Sequence, residues 1–203
     1  MRRWMKVVFA AAIVPLLAAA PVWAQDDDDD REDYDRAADN YALGIGAGLV
    51  EPEGEVEPYL YAGFRIRLGD HDRNVEDLAR GGIQGFLEPE IGYWEHGGSS
   101  GPPGVQEDLL LGVNLLGVVA GSWADYWFGA GVGIHFQDRS FVDQSTFDLI
   151  DDSEENVGLN AQFGVDVPIS DSVGLFGAGR WDIVDGSTDE IQEKVYLGLR
   201  FGF

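Results

Sequence analysis

Strict alternation of apolar with polar or small residues is the feature that most constrains this chain, and it is clearest over residues 191–203 (IQEKVYLGLRFGF). Six of the seven odd-numbered positions in this stretch are apolar, and only Glu193 interrupts them. A period of two residues is typical of a β-strand that is apolar on one face. Such a strand can either pack against a soluble core or face lipid, so the strand alone leaves both environments open.

The same alternation recurs in seven earlier segments, so the sequence predicts eight strands. Clusters of glycine, proline, aspartate and serine separate the segments, as expected for connections between strands. Glycine accounts for 28 of the 203 residues, which favours closely packed or sharply bent strands over helices. The eight predicted strands cover residues 41–50, 58–68, 83–94, 108–119, 124–136, 157–167, 173–184 and 191–203.

The N-terminus decides between the two environments. Residues 1–24 combine a basic start, an apolar run and a small residue at Ala24, which is the pattern of a secretory signal peptide. Pro15 and Pro21 interrupt the run, which favours a cleaved signal over a membrane anchor. No later segment is apolar enough for a spanning helix, so a mature protein that enters a membrane is expected to do so as a barrel.

Composition removes several classes of function. The chain has no cysteine, which excludes disulfides and thiol chemistry. Its formal net charge of −24 argues against nucleic acid as a partner. Residues 25–40 form an acidic leader that cannot bury apolar surface and is expected to be disordered, so the predicted domain covers residues 41–203. Five consecutive aspartates in that leader do not supply the spaced oxygen cage of a tight calcium site.

The two faces of the predicted strands differ in a way that suits a closed barrel. One face is apolar and is expected to meet lipid. The other carries both signs of charge, and buried charges must be paired, so we predict a network of ion pairs inside a filled lumen. Glycines 129, 131 and 133 would make room there for Trp127, Tyr59 or Tyr61. The residues of the predicted lumenal network are Arg65, Arg67, Glu88, Glu90, Arg180, Asp182, Lys194 and Arg200.

Taken together, the signal peptide, the eight segments, the glycine-rich strands at 43–48 (LGIGAG) and 129–136 (GAGVGIHF) and the terminal VYLGLRFGF resemble the OmpA-like family of outer-membrane β-barrels. The resemblance covers residues 41–203. It implies insertion into the outer membrane of a Gram-negative bacterium, with outer-membrane lipid and the barrel assembly machinery as partners. The C-terminal strand is similar to the signal which that machinery reads, carried here by Val195, Leu197, Leu199, Phe201 and Phe203.

The connections fit an up-and-down barrel whose N-terminus lies in the periplasm. Residues 120–123 and 168–172 are predicted tight turns on the periplasmic side, whereas 95–106 and 137–156 are predicted long polar loops outside the cell. The connection 69–82 is long although it would be periplasmic. Within it, Val75–Arg80 is predicted to form a short helical turn.

No motif for catalysis, metal binding or a cofactor emerges. His135 is the only histidine on the polar face of a predicted strand, and Ser140 is not placed to form a histidine–serine pair with it. The neighbours His71 and Asp72, and Glu95 and His96, lack the spacing of metal ligands.

The segment 137–156 concentrates aspartate and glutamate around Phe141, Phe147 and Ile150. It is predicted to be either a site for a divalent cation or an external partner, or a solvated loop in which like charges repel.

The sequence therefore predicts a monomeric, non-enzymatic outer-membrane barrel with a filled lumen and a structural or surface-interaction role. Such barrels also include pores and lipid-modifying enzymes, so two alternatives remain. One is an envelope enzyme that acts on lipid. The other is a narrow pore for small solutes lined by Arg65, Arg67, Glu88, Glu90, Arg180 and Arg200.

Overall fold

The computed structural model describes residues 41–51, 56–69, 82–97, 105–121, 123–142, 146, 149–185 and 190–203. Within these residues the chain forms eight strands, and each pairs antiparallel with the next. The last strand pairs with the first, which closes the sheet into a barrel and confirms the predicted fold class. The strands are β1 (Tyr41–Glu51), β2 (Glu57–Arg67), β3 (Gln84–Gly97), β4 (Val105–Val119), β5 (Asp125–Val142), β6 (Leu149–Ser170), β7 (Val173–Asp185) and β8 (Glu190–Gly202).

The two ends of the barrel are different. At one end, which we call the terminal end, Tyr41 N–H donates to the Phe203 carbonyl at 3.2 Å, and Phe203 N–H donates to the Tyr41 carbonyl at 3.0 Å. At the opposite end, which we call the hairpin end, β5 and β6 project furthest, with 18 and 22 residues against 11 in β1. Every row between these strands is paired, from Asp125 with Asp166 to Val142 with Leu149.

The bounds predicted for the long loops at 95–106 and 137–156 are wrong, because strands extend into both segments. β3 continues to Gly97 and β4 begins at Val105, while β5 continues to Val142 and β6 begins at Leu149. The reason is that period-two alternation depends on one apolar face. Beyond a membrane both faces of a strand meet water, so the pattern disappears although backbone pairing continues. The tight turn predicted at 168–172 is present, with Asp171 and Ser172 as its turn residues.

The apolar face of every strand points outward. The barrel therefore carries a continuous belt of exposed apolar side chains, which for a protein in water would be an unusually large patch and which suits a hydrocarbon environment. One representative from each strand, all at least 45% exposed, is Ile45, Leu60, Ile91, Leu115, Phe128, Leu159, Ile183 and Leu197. Within the described residues, no helix is long and apolar enough to cross a membrane.

Pro89 interrupts the hydrogen-bond ladder between β2 and β3. The two strands pair from Tyr59 with Trp94 to Gly63 with Glu90, and again at Ile66 and Arg67, but the two intervening rows are missing. Proline has no N–H, so it cannot donate to the strand opposite it. The wall therefore has a weak point in its backbone pairing at this position.

Three predictions lie outside the described residues: the signal peptide at 1–24, the acidic leader at 25–40 and the helical turn at 75–80.

Candidate functional site: the barrel lumen

The lumen gathers most of the polar and charged side chains that the described part of the chain keeps away from solvent. Because side chains alternate along a strand, every second residue points inward, and the inward set contains most of the buried charge. Two groups of charged residues result, one towards each end of the barrel. A layer of aromatic rings contacts both groups.

The terminal cluster consists of Arg65, Glu88, Asp166 and Arg200. Arg65 Nε donates to Glu88 Oε2 at 2.7 Å, and its Nη1 donates to Asp166 Oδ2 at 2.8 Å. Arg200 Nη1 also donates to Asp166 Oδ2, and Arg200 Nη2 lies 4.0 Å from Glu88 Oε2. Two guanidinium groups thus share two carboxylates, which balances the formal charge of the cluster.

Trp127 forms one wall of the terminal cluster. Its indole N–H donates to Asp166 Oδ1 at 3.2 Å. The guanidinium carbons of Arg65 and Arg200 lie 4.5 and 5.6 Å from the centre of its ring. Arginine stacked on an aromatic face in this way gains a cation–π attraction. The tryptophan therefore fixes both partners of the shared carboxylate.

The hairpin cluster is centred on Asp182. Arg180 Nη2 donates to Asp182 Oδ1 at 2.7 Å, and Lys194 Nζ lies 3.0 Å from Asp182 Oδ2. Arg180 Nη1 donates to Glu90 Oε1 across the lumen. The side chains of these four residues are at most 1% exposed.

His135 and Asp108 extend the hairpin cluster. His135 Nδ1 lies 2.9 Å from Asp108 Oδ2, and because an ionised carboxylate can only accept, Nδ1 carries the hydrogen. Its Nε2 lies 4.0 Å from Asp182 Oδ1. The side chains of Gln192 and Gln137 donate to Asp108 at 3.0 and 3.4 Å. The hairpin cluster thus contains Glu90, Asp108, His135, Arg180, Asp182 and Lys194.

Four buried aromatic side chains fill the lumen between β1, β2, β7 and β8. The rings of Tyr61 and Tyr196 lie 4.8 Å apart, and Tyr59 and Phe176 pack edge-on against Tyr196. The ammonium group of Lys194 lies 5.1 Å from the ring of Tyr59. The guanidinium carbon of Arg200 lies 4.7 Å from the ring of Phe176. This aromatic layer therefore joins the two charged clusters.

The expectation about which glycines make room for bulky lumenal side chains is wrong in detail. Glycines 129, 131 and 133 face Leu116, Asn114 and Leu110. The aromatic rings instead lie over glycines on their own or neighbouring strands: Tyr61 over Gly63, Tyr59 over Gly92 and Trp127 over Gly164. A Cβ atom at any of these positions would collide with its neighbour. The identity of each partner depends on strand register, which the sequence pattern does not specify.

At the terminal end, a cavity of about 90 Å³ opens below the terminal cluster. Arg65, Asp166 and Arg200 lie on its wall, together with the turn residues Asp171 and Ser172. Asp166 is also the most accessible member of that cluster, with 15% of its side chain exposed. The terminal cluster therefore borders solvent, unlike the hairpin cluster.

All eight predicted network residues are buried, and Arg67 lies close to the terminal end, where it also interacts with a neighbouring group. The ion pairs described above join Arg65, Glu88, Glu90, Arg180, Asp182, Lys194 and Arg200. The sequence reasoning left out Asp108, Asp166 and His135. All three lie on the polar face of their strands, so the alternation in the sequence could have identified them. The five residues of the predicted assembly signal lie on the outward face of β8 or just after it, and Leu197, Leu199 and Phe203 are exposed.

The lumen offers little for hydrolytic chemistry. His135 and Asp108 have the geometry of a base and its orienting carboxylate, but His135 is fully buried. Ser140 is five positions away on the same strand and therefore on the opposite face, where its hydroxyl donates to Asp151 at 2.7 Å. No group of three or more histidine, cysteine, aspartate or glutamate side chains that could hold a metal occurs among the described residues.

No family model and no curated protein matches the sequence. Among solved structures, Neisserial surface protein A is similar at a TM-score of 0.54 and 12% identity, over 80% of this chain and 96% of that one. Ail, the attachment invasion locus protein of Yersinia pestis, is similar at a TM-score of 0.52 and 12% identity, with the same coverage of both chains. At such identities the likeness shows the fold.

This is the fold of the OmpA-like outer-membrane barrels. The resemblance predicted from the sequence is thereby confirmed, and both the fold and the exposed apolar belt support the outer membrane as the location. The outer membrane enzyme PagL is also similar, at 11% identity over 80% of this chain and 99% of that one, but its TM-score of 0.47 is too low to bear on chemistry.

Proposed function

We propose that this protein is a plugged, monomeric and non-enzymatic outer-membrane barrel whose role is structural or lies in surface interactions. In the orientation typical of such barrels, the terminal end faces the periplasm and the hairpin end faces the exterior. The apolar belt then contacts outer-membrane lipid, and the lumen gives the wall a rigid interior.

The observation that carries the proposal is the filling of the lumen. An eight-stranded barrel has an interior only wide enough for side chains. Here the aromatic layer and both charged clusters occupy it, and Trp94, Arg180, Tyr59 and Tyr196 are among the largest completely buried side chains. A water-filled pore would leave its charged lining accessible, whereas the side chains of the hairpin cluster are at most 1% exposed.

Conductance in a planar bilayer tests this proposal. Folded protein comprising residues 25–203 is expected to give no reproducible current steps, although it is heat-modifiable on electrophoresis. The Arg65→Ala variant removes one of the two arginines of the terminal cluster but leaves the hairpin cluster in place, so it should also give no current steps. Current steps from the wild type that change size in the variant would instead establish the narrow-pore alternative.

The surface role is supported by the projecting β5–β6 hairpin. Beyond the belt, its described residues include Asp138, Asp151, Asp152, Glu154 and Glu155. A paired hairpin presents these carboxylates on a defined surface. A partner that binds there would therefore need positive charge, either as a basic protein surface or as divalent cations.

We further propose that β8 carries the signal for assembly. Its apolar residues share one outward face, and Phe203 extends the closing seam at the terminal end through its backbone bonds to Tyr41. Deleting Phe203 should lower the yield of heat-modifiable barrel in membranes by at least about threefold, since the missing backbone pair and aromatic side chain both belong to the closing seam. Phe128→Ala removes another exposed aromatic side chain, from β5, and is the matched control. Equal yields from the two variants would contradict the assignment.

A further inference from the structure

Two glutamates meet on the outer wall where the first and last strands close the barrel. Glu51 on β1 lies directly opposite Glu193 on β8. Glu193 faces outward because its neighbours Gln192 and Lys194 are buried in the lumen. Residues directly opposite each other share a face, with Cβ atoms about 4.5–5.5 Å apart. The two carboxylates are therefore adjacent on the outside of the seam.

Glu51 is buried and Glu193 is partly buried, although both lie outside the lumen. Glu51 is only 9% exposed, and one oxygen of each carboxylate, Oε2, is buried without a hydrogen-bond partner. Neither side chain forms an ion pair with a basic residue in the described part of the chain. Trp181 lies across from Glu193 on β7, and Ile191, nearer the hairpin end than Glu193, is strongly exposed on the same face. The pair therefore lies within the apolar belt, near its edge on the side of the hairpin end.

Two adjacent ionised carboxylates repel each other and need a positive charge nearby. Like charges directly opposite each other on neighbouring strands are destabilising, and burial of an ionised carboxylate is costly unless it is paired. A cation between the two groups removes both penalties. Hard divalent cations prefer carboxylate oxygens, and a charge of +2 balances two glutamates.

A second pair shows that opposite carboxylates are not unusual in themselves. Glu95 and Glu107 also face each other in the register of β3 and β4. Glu95 is exposed, however, and it accepts a hydrogen bond of 3.2 Å from the Tyr93 hydroxyl. Water and ions screen the repulsion of such exposed groups. The pair with the exposed Glu95, called the exposed pair below, therefore provides a control for the pair with the buried Glu51, called the buried pair.

We propose that Glu51 and Glu193 form a binding site for one divalent cation of the calcium type. Two carboxylates supply part of the coordination shell, and water oxygens supply the rest. The cation links β1 to β8 and so stabilises the closing seam near the outer rim of the barrel. This site is separate from the lumen and from the acidic β5–β6 hairpin.

Calcium titration of the folded protein in detergent tests the proposal. Calorimetry would compare the wild type, the Glu51→Gln/Glu193→Gln variant and the Glu95→Gln/Glu107→Gln variant, which all retain the other acidic segments. Any binding at the β5–β6 hairpin should be common to all three proteins. We expect a further saturable site in the wild type and in the exposed-pair variant, and an affinity for this site at least about tenfold lower in the buried-pair variant, because ligand charge sets the affinity. Calcium should also raise the thermal unfolding midpoint of the first two proteins only.

Terbium provides a second readout that does not require the double variant to fold. It is a luminescent substitute for calcium, and Trp181 is placed to sensitise it. Trp181→Phe should abolish most of the tryptophan-sensitised luminescence while leaving calcium binding in place. The proposal is overturned if the buried-pair variant binds calcium like the wild type, or if Trp181→Phe leaves the luminescence unchanged. It is also overturned if the wild type is stabilised by acid and not by calcium, because a shared proton would then occupy the site.

Discussion

The terminal and hairpin clusters place the same kinds of side chain in the same lumen, but in different surroundings. The terminal cluster has two arginines and two carboxylates, and it borders a cavity of about 90 Å³ at the barrel mouth. The hairpin cluster combines Arg180 and Lys194 with three carboxylates and His135, and its side chains are at most 1% exposed. One cluster can exchange its partners for water, whereas the other cannot.

Pairing of the buried charges and exclusion of water from the lumen are therefore two separate properties of this barrel. A buried ion left without its partner destabilises a protein strongly, because no water replaces the lost interactions. An ion next to a wet cavity can be solvated after the same change. The hairpin cluster should therefore control stability, and the terminal cluster should mainly control how far water enters.

The largest effect is expected from Asp182→Ala. This change leaves Arg180 and Lys194 in a dry interior without their shared carboxylate, and it should lower the free energy of unfolding by about 3–5 kcal/mol. Urea unfolding of the folded barrel in lipid vesicles would measure the loss. Asp185→Ala, at an exposed position on the same strand, is the control and should change little. Similar midpoints for the two variants would show that the hairpin cluster does not hold the lumen.

Asp166→Ala is the corresponding change in the terminal cluster. It removes the carboxylate that Arg65, Arg200 and Trp127 share, but water from the cavity can reach the freed groups. We expect a smaller loss of about 1–3 kcal/mol in the same measurement. A loss as large as that of Asp182→Ala would remove the distinction between the two clusters.

The smallest effect is expected at Pro89, beside the terminal cluster. Arg65 and Glu88 form their ion pair across the two rows where the β2–β3 ladder is interrupted. Pro89→Val restores a backbone N–H, and it should raise the free energy of unfolding by up to about 1 kcal/mol. Pro58→Val is the control, since Pro58 lies in an uninterrupted part of the β1–β2 register. A decrease in stability would mean that the ladder does not need this donor.

Much of the fold could be predicted because a barrel that faces lipid repeats one rule along every strand. The apolar face of β8, for example, predicts the outward positions of Leu197 and Leu199 correctly. The rule fails where the strand leaves the membrane. Residues 137–142 and 149–156 lost the alternation, and the sequence reasoning therefore placed a loop where paired strands continue.

It was harder to predict which lumenal residues pair with each other than to predict which residues face the lumen. Arg65 and Glu88 lie on neighbouring strands, and opposite charge on adjacent strands was enough to suggest their pairing. Arg180 and Glu90 meet across the lumen, and Asp166 contacts arginines from two other strands. These contacts depend on barrel closure, stagger and side-chain length. The residue pattern of a single strand does not specify how these factors combine.

Access of water to the centre of the lumen tests the central claim most directly. The chain has no cysteine, so a single one can be introduced at Asn114, which is 1% exposed on the lumenal face of β4, and at Ser172 in the turn beside the cavity. In the folded barrel, a small water-soluble thiol reagent should label the Ser172→Cys variant quickly and the Asn114→Cys variant only after unfolding. Rapid labelling of Asn114→Cys in the folded protein would contradict a plugged lumen and show that water passes through the barrel.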